Sequence, residues 1–92
     1  MSMSLAEHTQ FGLFLHATDP AGIRDAVALC DRVGFHSLWQ GDHISFGPPI
    51  QDPFSQLSYA AALSDKLTFG TSILLVPLRQ PTGIAKQAVT MD

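Results

Sequence analysis

Apolar positions along the chain fall into two kinds of segment that alternate. Short runs, apolar nearly throughout, occur at "FGLFLH" (residues 11–16), "FHSLWQ" (35–40) and "LTFGTSILLV" (67–76). Such runs are what strands covered on both faces require. Between and after them the apolar residues recur at helical spacing. Ile23, Val27 and Cys30 form one stripe with Ala26 between, while Arg24, Asp25, Asp31 and Arg32 take the wet side. Phe54, Leu57, Ala61 and Ser64 form a second stripe, and Ile84, Ala85, Ala88 and Val89 a third, each expected to face inward. The pattern predicts strands near residues 10–16, 36–41 and 67–74, and helices near 20–33, 53–65 and 81–91.

Punctuation agrees with the periodicity. Asp19, Asp52 and Gln80 each precede a proline. An aspartate caps a helix N-terminus well, and proline suits the first helical position, where its missing N–H costs nothing. Gly34 is placed to end the first helix. Strands alternating with helices imply right-handed crossovers and parallel pairing. The fold class is therefore α/β, either a doubly wound sheet or part of a (β/α) barrel. Residues 1–9 read as a loose polar lead-in, and no internal linker or low-complexity segment divides the chain.

Composition narrows the partners. The chain has 92 residues, 46% of them hydrophobic, and a formal net charge of -3, which suits one soluble globular unit. Five scattered basic residues under a negative balance argue against nucleic acid. Cys30 is the single cysteine, which excludes an intrachain disulfide and a zinc site of paired cysteines. "MSMSLAEHTQ" lacks the basic and apolar regions of a signal peptide, and "ILLVPL" is too short to span a bilayer. A cytoplasmic protein with no membrane partner is the default.

In both architectures ligands bind where the carboxyl ends of parallel strands meet. Asp42 and His43 stand where the second strand ends, His16 where the first ends, and Thr71 and Ser72 near the end of the third. Imidazole titrates near neutral pH, so His43 reads as a general acid/base or a cofactor contact, or equally as a loop histidine bonded to backbone. Asp42 reads as a partner of His43, as a group for a polar ring edge, or as a turn residue after Gly41. His16, Asp42 and His43 match no specific metal-ligand spacing, and no metal site is expected. Trp39 reads as packing and Cys30 as an inert core thiol. Gly70 in "FGTS" is no phosphate loop. Arg79 reads as an anion or neighbour contact, or as a solvated surface arginine.

Three blocks, "VGFHSLWQGDH", "KLTFGTSILLVPLRQP" and "AKQAVTMD", together resemble the bacterial luciferase-like monooxygenases and oxidoreductases, which depend on flavin or the deazaflavin F420. The likeness runs in order from "FGLFLH" to Asp92 and leans toward the actinobacterial F420-type branch. It implies the N-terminal three βα units of a (β/α)8 barrel with FMN or F420 at its carboxyl mouth. It also implies an enzyme acting on paired donors, with hydride transfer or oxygen activation on a small organic substrate. Asp42 and His43 would touch the ring, with His43 as acid/base. Ser72 and Ile73 would also contact the ring, joined by a non-prolyl cis peptide that makes Ile73 a backstop. A (β/α)8 barrel needs about 250 residues, so residues 1–92 are expected to be a partial domain, inactive alone and homo-oligomeric or marginally stable. The alternatives are a non-catalytic truncated remnant or self-associating module, and a barrel enzyme using Asp42 and His43 around a metal.

Overall fold

Every α-helix opens at a proline, as the sequence requires. The computed structural model describes residues 9–16, 19–44, 47 and 50–92, in the order β1 (Gly12–Phe14), α1 (Pro20–Val33), β2 (Ser37–Gln40), α2 (Pro53–Leu63), β3 (Thr68–Thr71), a 3-10 turn (Val76–Leu78) and α3 (Pro81–Met91). Asp19 caps α1 by accepting from the Gly22 N–H at 2.8 Å, and Asp52 caps α2 by accepting from the Ser55 N–H at 2.9 Å. Gly34 closes α1 in the left-handed region at φ 81°, a conformation that favours glycine, and its N–H reaches the Cys30 carbonyl. No helix among the described residues is long and apolar enough to cross a membrane.

The three strands form one parallel sheet in the order β1-β2-β3, so the expected α/β class and pairing hold. Alternation along each strand divides the side chains between two faces. Leu13, Leu15, Leu38 and Phe69 turn toward the helices, where they meet Ile23, Val27, Cys30, Ala60 and Leu67 in the core. Arg24 of α1 donates to the Tyr59 hydroxyl of α2 at 2.8 Å, tying the two helices together.

The opposite face corrects the expectation of strands covered on both sides. Gly12, Phe14, Ser37, Trp39, Thr68 and Gly70 lie there by register, with Phe14 38% and Trp39 39% exposed. The Trp39 indole is laid flat across its neighbours, its Nε1 donating to the Ser37 Oγ at 2.8 Å. A methyl group on Gly70 would come 2.5 Å from the ring, and one on Gly12 would come 2.7 Å from Nε1. The two glycines thus make room for the indole. Gly70→Ala is expected to lift the ring and to cost about 1–3 kcal/mol by overpacking. The chain's single tryptophan reports this as a red-shifted emission together with a lower urea midpoint.

Several boundaries and faces differ from what the sequence pattern predicts. β3 stops at Thr71 instead of running to 74: Ser72 still donates its N–H to the Gln40 carbonyl, but the chain then winds into the 3-10 turn. Pro77 has no N–H to give a strand ladder. The buried stripe of α2 is Pro53, Gln56, Leu57 and Ala60, while Phe54, Ala61 and Ser64 are only half-buried. The helix is turned so that Gln56 meets Gln40 from β2 in a buried side-chain hydrogen bond, a polar contact that apolar spacing does not register. It ends at Leu63, and the extended Ser64 donates its hydroxyl to Asp31. On α3 the expected inward face is not buried: Ala85, Ala88 and Val89 are exposed and Ile84 is half-buried. That helix lies against α2 and borders an open groove of about 430 Å³ lined by residues such as Leu57, Phe69, Leu74 and Ile84. Periodicity marks a face fit for burial without saying what covers it.

Candidate functional site

Parallel pairing brings three chain segments to one end of the sheet. It extends past the strands themselves, since the Leu15 N–H reaches the Trp39 carbonyl at 2.7 Å and the Ser72 N–H reaches the Gln40 carbonyl at 2.9 Å. His16, Gly41 to His43, and Ser72 with Ile73 are therefore collected on one rim. His43 is half-buried. A methyl group on Gly41 would stand 3.3 Å from the Phe14 ring, a tight approach, and 3.8 Å from His43 Nε2, an ordinary contact, so both rings lie beside that glycine. His16 is exposed and leans on Phe14, with ring centroids 4.9 Å apart. Ser72 is exposed, its Oγ 3.4 Å from the Gln40 carbonyl, and Ile73 is 50% exposed.

Asp42 is 3% exposed, and its Oδ2 accepts three hydrogen bonds. The Leu75 N–H donates at 2.9 Å, Arg79 Nε at 3.1 Å and Arg79 Nη2 at 3.0 Å. Nη2 also donates to Asp52 Oδ1 at 2.9 Å. The guanidinium carbon lies 5.5 Å from the Phe54 ring centroid, within cation–π range. Arg79 is thus neither a solvated arginine nor an open anion contact: two carboxylates of its own chain hold it. Its bond to Asp52 raises its pKa most; desolvation opposes this, and the bond to Asp42 and the charges of both carboxylates add to the rise.

At Asp52 burial pulls the pKa upward. The Ser55 N–H, Arg79 and the Ser55 hydroxyl outweigh that pull and leave it below the ordinary carboxylate value. A depressed folded-state pKa gives stability that is present above the unfolded value of 3.8 and lost as pH falls through the folded one. In acid titrations followed by circular dichroism, Asp52→Asn keeps a capping side chain and is expected to flatten the part of the stability loss that lies below about pH 4.

Cys30 is buried, and burial first, then Asp31, raises its thiol pKa, which leaves an inert core thiol. Among the described residues no three His, Cys, Asp or Glu side chains come together to hold a metal ion, so the structure does not assemble His16, Asp42 and His43 as ligands. The peptide bond joining Ser72 to Ile73 is trans, as are all the described ones, and this corrects the cis bond that the resemblance implies. Trans is the lower-energy form for a non-prolyl bond, by roughly 3 kcal/mol. Sequence reasoning missed the Asp42–Arg79–Asp52 bridge and the Gln40–Gln56 bond. An arginine set after one strand and an acid ending the strand before it were the available signal for the first.

The sequence pattern of the luciferase-like monooxygenases matches residues 2–92. A curated relative, the 4-hydroxyprotoasukamycin monooxygenase of Streptomyces nodosus subsp. asukaensis, is 29% identical over 96 residues, which cover 94% of this chain and 26% of the relative. The chain therefore spans about a quarter of that relative's length. Three parallel βα units, a polar rim at their carboxyl ends and a family match along the chain lead to one assignment: the chain belongs to the luciferase-like monooxygenase family.

Proposed function

We propose that this chain supplies the strand-end face of a luciferase-like oxidoreductase. The enzyme would use reduced FMN or F420 for hydride transfer or oxygen activation on a small organic substrate. The observation that carries the reading is the gathering of Phe14, His43, Ser72 and Ile73 at one end of a parallel sheet. A planar ring system needs apolar support on a face and hydrogen-bonding groups at an edge. Ile73, Phe14 and the flattened Trp39 offer exposed apolar surface, and Ser72 and His43 offer polar groups, so the residues present fit such a ring. When bound, the ring supplies the hydride or the oxygen activation. His43 holds or passes a proton at its imidazole, and Ile73 supports a ring face. Asp42 Oδ2 is committed to Arg79 and Leu75 and the residue is buried, which makes fixing the rim its chief task beside any ring contact. Titrating the chain with FMN and with reduced F420 while following Trp39 emission tests this. Saturable quenching by one of them is expected, and none with either at millimolar concentration would overturn the reading.

The self-associating reading also has a specific observation behind it. Among the described residues β1 and β3 each pair on one side only, and Leu78 and Val89 are 66% and 76% exposed. Uncapped edges and bare apolar faces favour association. Sedimentation velocity is expected to show dimers or larger species, or else the chain to melt at low temperature. A tight monomer with a high melting temperature counts against this.

A further inference from the structure

We propose that Arg79 is a positioning residue for the strand-end site, setting where His43 and the backbone of residues 72–75 stand. The functional meaning of this rests on the reading of that face as a ring site. The connection from β2 to α2 leaves at Asp42 and returns at Asp52, and the same guanidinium bonds both ends. His43 is the first residue after the Asp42 anchor. The Leu75 N–H shares Asp42 Oδ2 with Arg79, so the segment after β3 is fastened at the same point. One side chain, 20% exposed, thereby joins the end of β2, the start of α2 and the turn after β3. Phe54 beneath the guanidinium limits where it can lie.

The chemistry calls for arginine. A planar fork donates from Nε and Nη2 to Asp42 while Nη2 also serves Asp52, whereas an ammonium is a point charge without that geometry. Asp42 is buried, so removing Arg79 leaves a carboxylate with its charge uncompensated. Its remaining partner, the Leu75 N–H, would then have to hold it alone. The disturbance should centre on the rim, because the bonds that Arg79 makes and shares lie among Asp42, Asp52 and Leu75.

The test uses the whole chain with Arg79→Gln and Arg79→Lys. Native-state amide exchange is read at Leu75 and, as references in the sheet, at Leu15 and Thr68, whose amides bond the Trp39 and His36 carbonyls. Binding of FMN is read from Trp39 emission. In Arg79→Gln the Leu75 amide is expected to exchange about tenfold faster or more, with Leu15 and Thr68 unchanged. The His43 amide resonance should move, and FMN affinity should fall by a similar factor. Arg79→Lys should restore only part of each effect. Unchanged exchange at Leu75, equal acceleration at all three amides, or full rescue by lysine would overturn the proposal. So would unchanged FMN affinity in a wild type that binds FMN. If the wild type binds no FMN, the ring reading fails for that probe, and the local exchange pattern with the His43 shift still decides the role of Arg79. Should Arg79→Gln not fold, Asp42→Asn/Arg79→Gln removes the orphaned charge and is judged by the same readouts.

Discussion

His43→Ala is expected to slow turnover by ~10²–10⁴ in a complete barrel that carries residues 1–92 as its first three βα units, the loss typical of removing one acid/base group. The position supports this size of effect. His43 follows the end of β2, lies near Gly41 and Phe14, and stands on the same rim as Ser72 and Ile73. The fold should survive, because His43 is only half-buried and lies outside the core cluster. Ring affinity should largely survive too, since Ile73 and Ser72 would still contact the ring. Asp42→Ala is expected to behave differently. It removes the acceptor that Arg79 and the Leu75 N–H share, leaving Arg79 on Asp52 alone, so it should weaken ring binding more than it slows chemistry. Measuring kcat and KM for both variants with reduced FMN and reduced F420 separates the two roles. Wild-type turnover by His43→Ala with either ring would leave a histidine that merely ends a strand.

The parts of this structure legible in the sequence are those fixed by local chemistry. Proline after a capping aspartate starts α1 and α2, Gly34 stops α1, and Ile23, Val27 and Cys30 repeat at the spacing of one helix face. Parallel order followed from the alternation of strand and helix, and with it the gathering of His16, Asp42, His43 and Ser72 at one end. What escaped depends on contacts between distant residues. Gln56 is buried because it meets Gln40, and a polar residue on a helix carries no mark of a buried partner. Arg79 looks like any loop arginine until the register sets it over Asp42 and Asp52. Gly12 and Gly70 look like weak points in strands until the Trp39 ring is seen lying across both. The apolar stripe of α3 predicts an inward face, yet Ala85, Ala88 and Val89 are exposed, because burial depends on what stands opposite.

Leu38→Ala should cost about 2–5 kcal/mol, the range for truncating a buried leucine and leaving a cavity behind. Leu38 is fully buried at the middle of the central strand. By register it stands between Leu13 on β1 and Phe69 on β3, and it belongs to the cluster with Val27, Cys30 and Ala60 from the two covering helices. No nearby group is placed to fill the space cheaply, since strands pair on both sides of it and helices lie above. Among the described residues the small sheet has two unpaired edges and one face without a covering helix, which leaves little stability in reserve. The expected result is therefore loss of cooperative unfolding in urea, followed by Trp39 emission, and not a mere shift of the midpoint. Leu38→Met keeps the volume and should cost less than about 1.5 kcal/mol, retaining a transition. Equal midpoints for Leu38→Ala and the wild type would mean that the sheet–helix core is not what holds this chain together.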